Sequence, residues 1–149
     1  MATERTFTML KPGVLQRRIV GEILTRLERK GFKILAMKLM KIPRDLAEDH
    51  YGEHREKPFF GDLVGYITSA PVIAMVVEGE EAIARLRLLC GATKVDQALP
   101  GTIRGDYATQ TQLNIIHASD SPESAARETG LFFDESEIID YEDGNADWF

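Results

Sequence analysis

The chain has 149 residues, 44% hydrophobic and 28% charged, with a net charge of −6 at neutral pH. Such values fit one soluble globular domain, spanning 1–149, that can bury a full core without staples, and they argue against general nucleic-acid affinity. Cys90 is the only cysteine, which excludes an internal disulfide and a site of several thiolates and points to a reducing cytoplasm.

No apolar run approaches membrane-spanning length, and Met1–Arg5 leads directly into a strand-like segment with no secretion signal evident. The acidity is uneven. Residues 134–149 hold seven acids and no Lys or Arg, so the remainder carries 18 basic against 17 acidic residues. A cationic pocket is therefore compatible with an acidic chain.

Arg5–Leu10 alternates polar and apolar residues and predicts a strand, ended by Lys11-Pro12. Ile19–Lys30 predicts an amphipathic helix with Val20, Ile23, Leu24 and Leu27 on one face and Gly31 as its stop. Lys33–Ile42 predicts a second strand beside the first. Pro43 opens a helical stretch to about Tyr51, His54–Lys57 is a charged connection, and Pro58 starts another short helix. Val72–Val77 is a buried strand by its continuous apolar run. Glu80–Cys90 predicts a helix with acids at its start, favourable to the helix dipole. The stretch from Gly91 to Asp106 has no clear period and, at about fifteen residues, exceeds ordinary connections; such loops are functional or disordered. Leu113–His117 predicts a fourth strand. Ser121-Pro122 is a strong helix start, Ser as N-cap and Pro first in the helix, with Gly130 as its end. This order predicts an α+β, ferredoxin-like fold: a four-stranded antiparallel sheet built from two βαβ units, covered by helices, with a helical hairpin between the units.

The stretch from Pro100 to Glu128 gathers Arg104, His117, Ser119, Asp120 and Glu128. His117 lies where a strand ends. Position alone suits a core histidine satisfied by hydrogen bonds. With Glu128 on the following helix, the other reading is a nucleophile: a carboxylate accepting from one ring nitrogen leaves the other nitrogen's lone pair free. Arg87 falls near the buried stripe of its helix, so its charge needs either a carboxylate or a ligand phosphate. Arg104, by itself, reads equally as a surface charge. Together with Lys11 the two arginines would suit the charged oxygens of a transferring phosphoryl group. Phe59 and Leu63, four apart on one helix, read as core packing or as a slot for a flat base bound by stacking. Tyr51 and Asn114 stand at element ends, and Asn114 within an apolar run requires a partner. His50 and His54 read as solvated. The chain has no Walker loop, GxGxxG motif or metal-ligand spacing.

NIIHASD, the upstream PGTIRGD, ERTFTMLKP at the start, HREKPFFGDLVGYITSAPVIAMV in the middle and DWF at the end resemble the nucleoside diphosphate kinases over nearly the whole chain. The resemblance implies exchange of the terminal phosphate between nucleoside triphosphates and diphosphates (ATP, GTP, ADP, GDP and deoxy forms) by a ping-pong mechanism, with broad base specificity. It implies His117 as the phosphorylated residue, Glu128 as its orienting carboxylate and Ser119 nearby. Lys11, Tyr51, Arg87, Thr93, Arg104 and Asn114 match nucleotide-binding positions, and Phe59 with Leu63 the base clamp. Mg2+ would arrive on the nucleotide phosphates, with no protein metal ligands. A homo-oligomer is implied, a hexamer favoured over a tetramer by the long loop and the apolar Trp148-Phe149 end. The chain departs from the family pattern at Gly13-Val14-Leu15 and at Lys94-Val95. Arg18 and Ala118 stand where glycine is usual. Two other readings compete: a nucleotide binder on the same fold that exchanges no phosphate, against which no pocket residue is missing, and a nucleic-acid-binding protein, disfavoured by the charge.

Overall fold

The structure, a computed structural model, describes residues 3–149. Met1 and Ala2, part of the stretch read as lacking a secretion signal, lie outside the described residues. The elements are β1 (Thr3–Leu10), α1 (Val14–Arg17), α2 (Val20–Arg29), β2 (Lys33–Met40), α3 (Arg44–His50), α4 (Phe60–Ile67), β3 (Val72–Glu80), α5 (Ala82–Cys90), α6 (Ile103–Tyr107), β4 (Ile116–Ala118) and α7 (Pro122–Phe132). Among the described residues, no helix is long and apolar enough to cross a membrane.

The four strands form one sheet in the order β2-β3-β1-β4, with β1 antiparallel to β3 and β4, and β2 antiparallel to β3. This is the ferredoxin-like arrangement expected. The expected pairing of the first two strands is corrected: β2 pairs with β3 instead. A helix about 10 Å across spans roughly two strand spacings of about 4.8 Å, so β1–α2–β2 leaves a gap one strand wide, which β3 fills.

The side-chain alternation of β1 and β3 divides the core in two. Leu10, Ile73, Met75 and Val77 pack with Ile23 and Leu27 of α2 and Leu86 and Cys90 of α5. Phe7, Met9, Val72, Ala74 and Val76 pack on the other face with Ala47 of α3, Val64 and Ile67 of α4, and Phe132 of α7. Both faces are covered, which is why Val72–Val77 reads as an unbroken apolar run.

Several boundaries differ from expectation, each for a local reason. Helix α5 starts at Ala82, because Glu80 completes β3 and Glu81 turns the chain at φ 51°. Helix α7 runs through Gly130 to Phe132, whose ring packs 4.7 Å from that of Phe7; burying that ring outweighs the roughly 1 kcal/mol a mid-helix glycine costs. Strand β4 is shorter than the Leu113–His117 segment, because Ile115 adopts φ 75°. The long loop holds α6, too short to show a period in sequence. The four-residue α1 is also new; it lies between Gly13 at φ 98° and Arg18 at φ 58°. Arg18 thus occupies a left-handed position where glycine would sit without strain. Ala118 does not: it lies in β4 opposite Thr8, and its substitution for glycine is conformationally neutral.

Candidate active site

Strand β4 pairs His117 with Met9, which directs its ring to the α7 side of the sheet, 6.0 Å from the Phe7 ring. Helix α7 begins as expected, with Ser121 accepting from the Ser124 amide and Pro122 in the first turn. Its buried face carries Ala125, Glu128 and Phe132. Glu128 is four residues from Phe132, so the contact that docks the helix also buries the carboxylate, which is 5% exposed.

Glu128 Oε1 lies 2.8 Å from His117 Nε2 and accepts from Ser119 Oγ at 2.5 Å. Burial works to raise the Glu128 carboxyl, but the hydrogen bond and charge attraction from His117, with help from Ser119 and His50, hold it below the usual carboxylate range. An ionised carboxylate can only accept, so Nε2 carries the proton and Nδ1 keeps its lone pair. The ring is 23% exposed, so it is supported from behind while open on one side.

A cationic group gathers around β4. Lys11, at the end of β1, donates to Asn114 Oδ1 at 2.7 Å, and Asn114 Nδ2 reaches the Thr93 carbonyl at 3.5 Å. Arg87 donates to the Ala118 carbonyl at 2.9 Å. Arg104 is 5% exposed and donates to the carbonyls of Asn114, Gly91 and Ile116. It is a buried cation, which corrects the reading of a surface charge. Thr102 caps α6 through the Gly105 amide, and a Cβ at Gly105 would overlap the Leu99 carbonyl, so the turn presenting Arg104 requires glycine.

Among the described residues no carboxylate lies within ion-pair distance of Lys11, Arg87 or Arg104. For Arg87 this removes the carboxylate alternative. Burial, followed by repulsion from Arg104, pushes the Lys11 ammonium down to about 8. Burial likewise lowers Arg104. Buried like charges held together without anions form a site that gains by receiving one. Cys90 lies in the same cluster, but burial pushes its thiol up to about 11, and it stays an inert core residue.

Tyr51 is half-buried, its ring 4.7 Å from that of His50, and burial, then Tyr66 and Glu128, raises its phenol to about 12. Phe59 is 44% exposed and Leu63 half-buried at the start of α4. Phe59 is thus a poor fit to ordinary core packing. Asp120 is exposed and outside the hydrogen-bonded group.

Two features escaped the sequence. His50, expected to be solvated, is 3% exposed, and its ring stands edge-on to His117 at 4.9 Å. Its spacing of three from Ala47 on α3 was the available signal, since both are buried. Arg127 of α7 donates to the carbonyls of Asp49 and His50, tying the end of α3 beside Glu128. His54 is likewise half-buried, with Nδ1 lacking a hydrogen-bond partner. The second feature is Ile115, a β-branched residue at φ 75° between Asn114 and Ile116, a strain of about 1–3 kcal/mol. It is held by the Lys11 amide on its carbonyl at 2.9 Å and by Arg104 on the carbonyls either side. The expectation of no metal-ligand cluster also needs correction: one donor atom each from His50, His117 and Glu128 lie within 4.8 Å of one another. Spacing could not reveal it, because these residues come from three separate elements.

An open depression of about 830 Å3 is lined by Lys30, Phe32, Tyr141 and Phe149 among others and by none of the site residues above.

The family model "Nucleoside diphosphate kinase" matches residues 4–138. The chain belongs to the nucleoside diphosphate kinase family. A nucleoside diphosphate kinase of Treponema pallidum is 58% identical over 149 residues, all of both chains. That of Archaeoglobus fulgidus is 59% identical over 145 residues, 97% of this chain and 96% of the relative. The solved structure of a halophilic nucleoside diphosphate kinase from Halobacterium salinarum in complex with CDP is 48% identical. It superposes with a TM-score of 0.95, covering 99% of this chain and 98% of that one. Family membership accounts for the sheet order, and the site described above sits at the edge of that sheet, on β4.

Proposed function

We propose that this protein is a nucleoside diphosphate kinase that moves the terminal phosphate of a nucleoside triphosphate to a nucleoside diphosphate through His117. One observation carries the reading. An imidazole whose Nε2 is bound to a buried, ionised carboxylate stands on the short strand around whose ends and backbone three cations gather without acidic partners.

In the first half-reaction the Nδ1 lone pair attacks the terminal phosphorus in line. The bond from phosphorus to the bridging oxygen breaks, and its electron pair leaves on the diphosphate. The Nε2–H keeps its hydrogen bond to Glu128, whose charge offsets the positive charge that the ring acquires. A second diphosphate then attacks the phosphorus with a terminal oxygen, the P–N bond breaks, and the lone pair returns to Nδ1. Lys11, Arg87 and Arg104 stabilise the phosphoryl oxygens, Thr93 and Asn114 complete the phosphate and sugar contacts, and Tyr51 backs the His50–His117 pair. Positioning and charge carry the rate, because the nucleophile is the only covalent participant.

Phe59 and Leu63 would take the base by stacking, so adenine and guanine nucleotides (ATP, GTP, ADP, GDP) would be accepted alike, and the deoxy forms with them if no group holds the 2′-hydroxyl. The CDP bound to the Halobacterium salinarum relative supports a diphosphate in this fold. Glu128 is committed to His117, and the cations have no acidic neighbours, so the donor set suits a Mg2+ carried on phosphate oxygens rather than one caged by protein. When bound, that ion neutralises phosphate charge. The chain is read as a single domain, 1–149, in a cytoplasmic homo-oligomer, a hexamer by preference. Trp148 is 84% and Phe149 68% exposed, apolar surface that a neighbouring subunit would cover.

Incubation with ATP labelled on its terminal phosphate should give an acid-labile, alkali-stable phosphoprotein, and His117→Ala should lose both label and exchange. Exchange retained in that variant overturns the mechanism.

A further inference from the structure

The nucleophile belongs to a second constellation, one with the composition of a metal site. We infer that His50, His117 and Glu128 form a binding site for Zn2+, or a divalent cation of the same ligand preference, whose occupancy blocks phosphoryl transfer. The blocking half rests on the reading of His117 as the nucleophile; the binding half does not.

Two imidazoles and a carboxylate, each offering one donor within 4.8 Å of the others, are a set that suits zinc. The same set discriminates against Mg2+, which prefers oxygen donors, so the ion brought by the nucleotide does not compete for it. An independent observation points to a ligand. The His50 side chain is 1% exposed, yet its Nδ1 has no hydrogen-bond partner and stands 3.8 Å from Glu128 Oε2. A buried ring nitrogen facing an ionised oxygen at that separation is a polar atom left unmatched in the protein alone.

Zinc with bonds of about 2.0–2.1 Å holds its tetrahedral donors roughly 3.3 Å apart. The 2.8 Å contact of His117 Nε2 is with Oε1 and the 3.8 Å contact of His50 Nδ1 is with Oε2, so each imidazole faces its own carboxylate oxygen and the rings shift to bring the donors to that spacing. Entry requires the His117 Nε2–Glu128 hydrogen bond to part, since the exposed side of the ring is its Nδ1 edge, and the second Glu128 oxygen can serve as fourth donor. The protons balance without loss. Zinc takes the His117 Nε2 position and that proton moves to Nδ1; His50 likewise ligates through Nδ1 with its proton on Nε2, and Glu128 is already ionised. The consequence is specific: the Nδ1 lone pair that would attack phosphorus now carries a hydrogen.

Binding is measured on the full-length protein by equilibrium dialysis against Zn2+ and by the visible absorption of Co2+ as a stand-in, without nucleotide. The expected result is one ion per chain with a four-coordinate Co2+ band, and at least a tenfold loss of affinity in His50→Gln. His117→Asn should lose the same site, which keeps the test valid where His50→Gln fails to fold by circular dichroism. Affinity unchanged in both variants would assign the ion to the acidic segment 134–149 and overturn the proposal, as would no binding. In the second arm, Zn2+-preloaded protein should take no phosphate from ATP until a chelator is added. Normal phosphorylation of the loaded protein would overturn the blocking role while leaving the kinase reading intact. Metal binding in a protein that never exchanges phosphate would do the reverse.

Discussion

Glu128→Gln is the sharpest probe of how the nucleophile is prepared. The carboxylate is 5% exposed, and one oxygen, Oε1, receives both His117 Nε2 at 2.8 Å and Ser119 Oγ at 2.5 Å. Glutamine preserves shape and can still accept at one atom, but it loses the charge. Hydrogen bonds to a charged group contribute about 1.5–3 kcal/mol and neutral ones about 0.5–1.5, so the His117 contact weakens by about 1–2 kcal/mol. That contact strengthens as the ring becomes positive on phosphorylation, so the loss falls on the transition state. At about 1.4 kcal/mol per tenfold in rate, phosphorylation should slow by about 5- to 30-fold. Glu128→Ala should slow it further, because it leaves both donors buried and unpartnered and frees the ring to adopt the other tautomer. Rapid-quench measurement of phosphohistidine formation in a single turnover reads this step without product release. Wild-type phosphorylation rates in Glu128→Gln, with His117→Ala inert, would refute the idea that the carboxylate prepares the ring.

Lys11 titrates near 8 because burial disfavours its charged form. The KM for the diphosphate should therefore rise above about pH 8 in wild type and show no such rise in Lys11→Met. The accompanying stability effect has the opposite sense: with the folded pKa below the unfolded 10.5, the unfolded chain holds more protons between those values, and this group's contribution to stability increases with pH across that window, measurable by urea unfolding. Arg104→Ala removes three backbone contacts from a nearly buried cation and should lower stability by about 2–4 kcal/mol by calorimetry. Arg87→Ala, half-buried with one backbone contact, should act mainly on KM and little on Tm. Arg18→Gly relieves a left-handed residue at φ 58° and should stabilise by up to about 1 kcal/mol in denaturant titration, after the unfolded-state entropy of glycine is offset.

Much of the architecture was legible before any coordinates. Amphipathic spacing marks α2, the continuous apolar run marks β3, and Ser121-Pro122 marks the start of α7, because these depend on contacts within a few residues. The grouping of His117, Ser119 and Glu128 was also legible, since twelve residues of chain contain all three. Short-range chemistry leaves short-range traces.

Other features depended on where distant segments meet. That β2 pairs with β3 rather than β1 follows from the width of a packed helix, which no local pattern records. The end of β4 at the strained Ile115 is set by Lys11 and Arg104, two residues from other elements. His50 looked solvated because its neighbours in the chain are charged; its actual neighbours are Phe7, Phe132 and His117, brought over it by the sheet. The residue types in the sequence determined which chemistry this protein can perform. The tertiary fold decided which of those groups are buried, and burial, by removing water, sets which charges lack partners and which imidazole stays neutral.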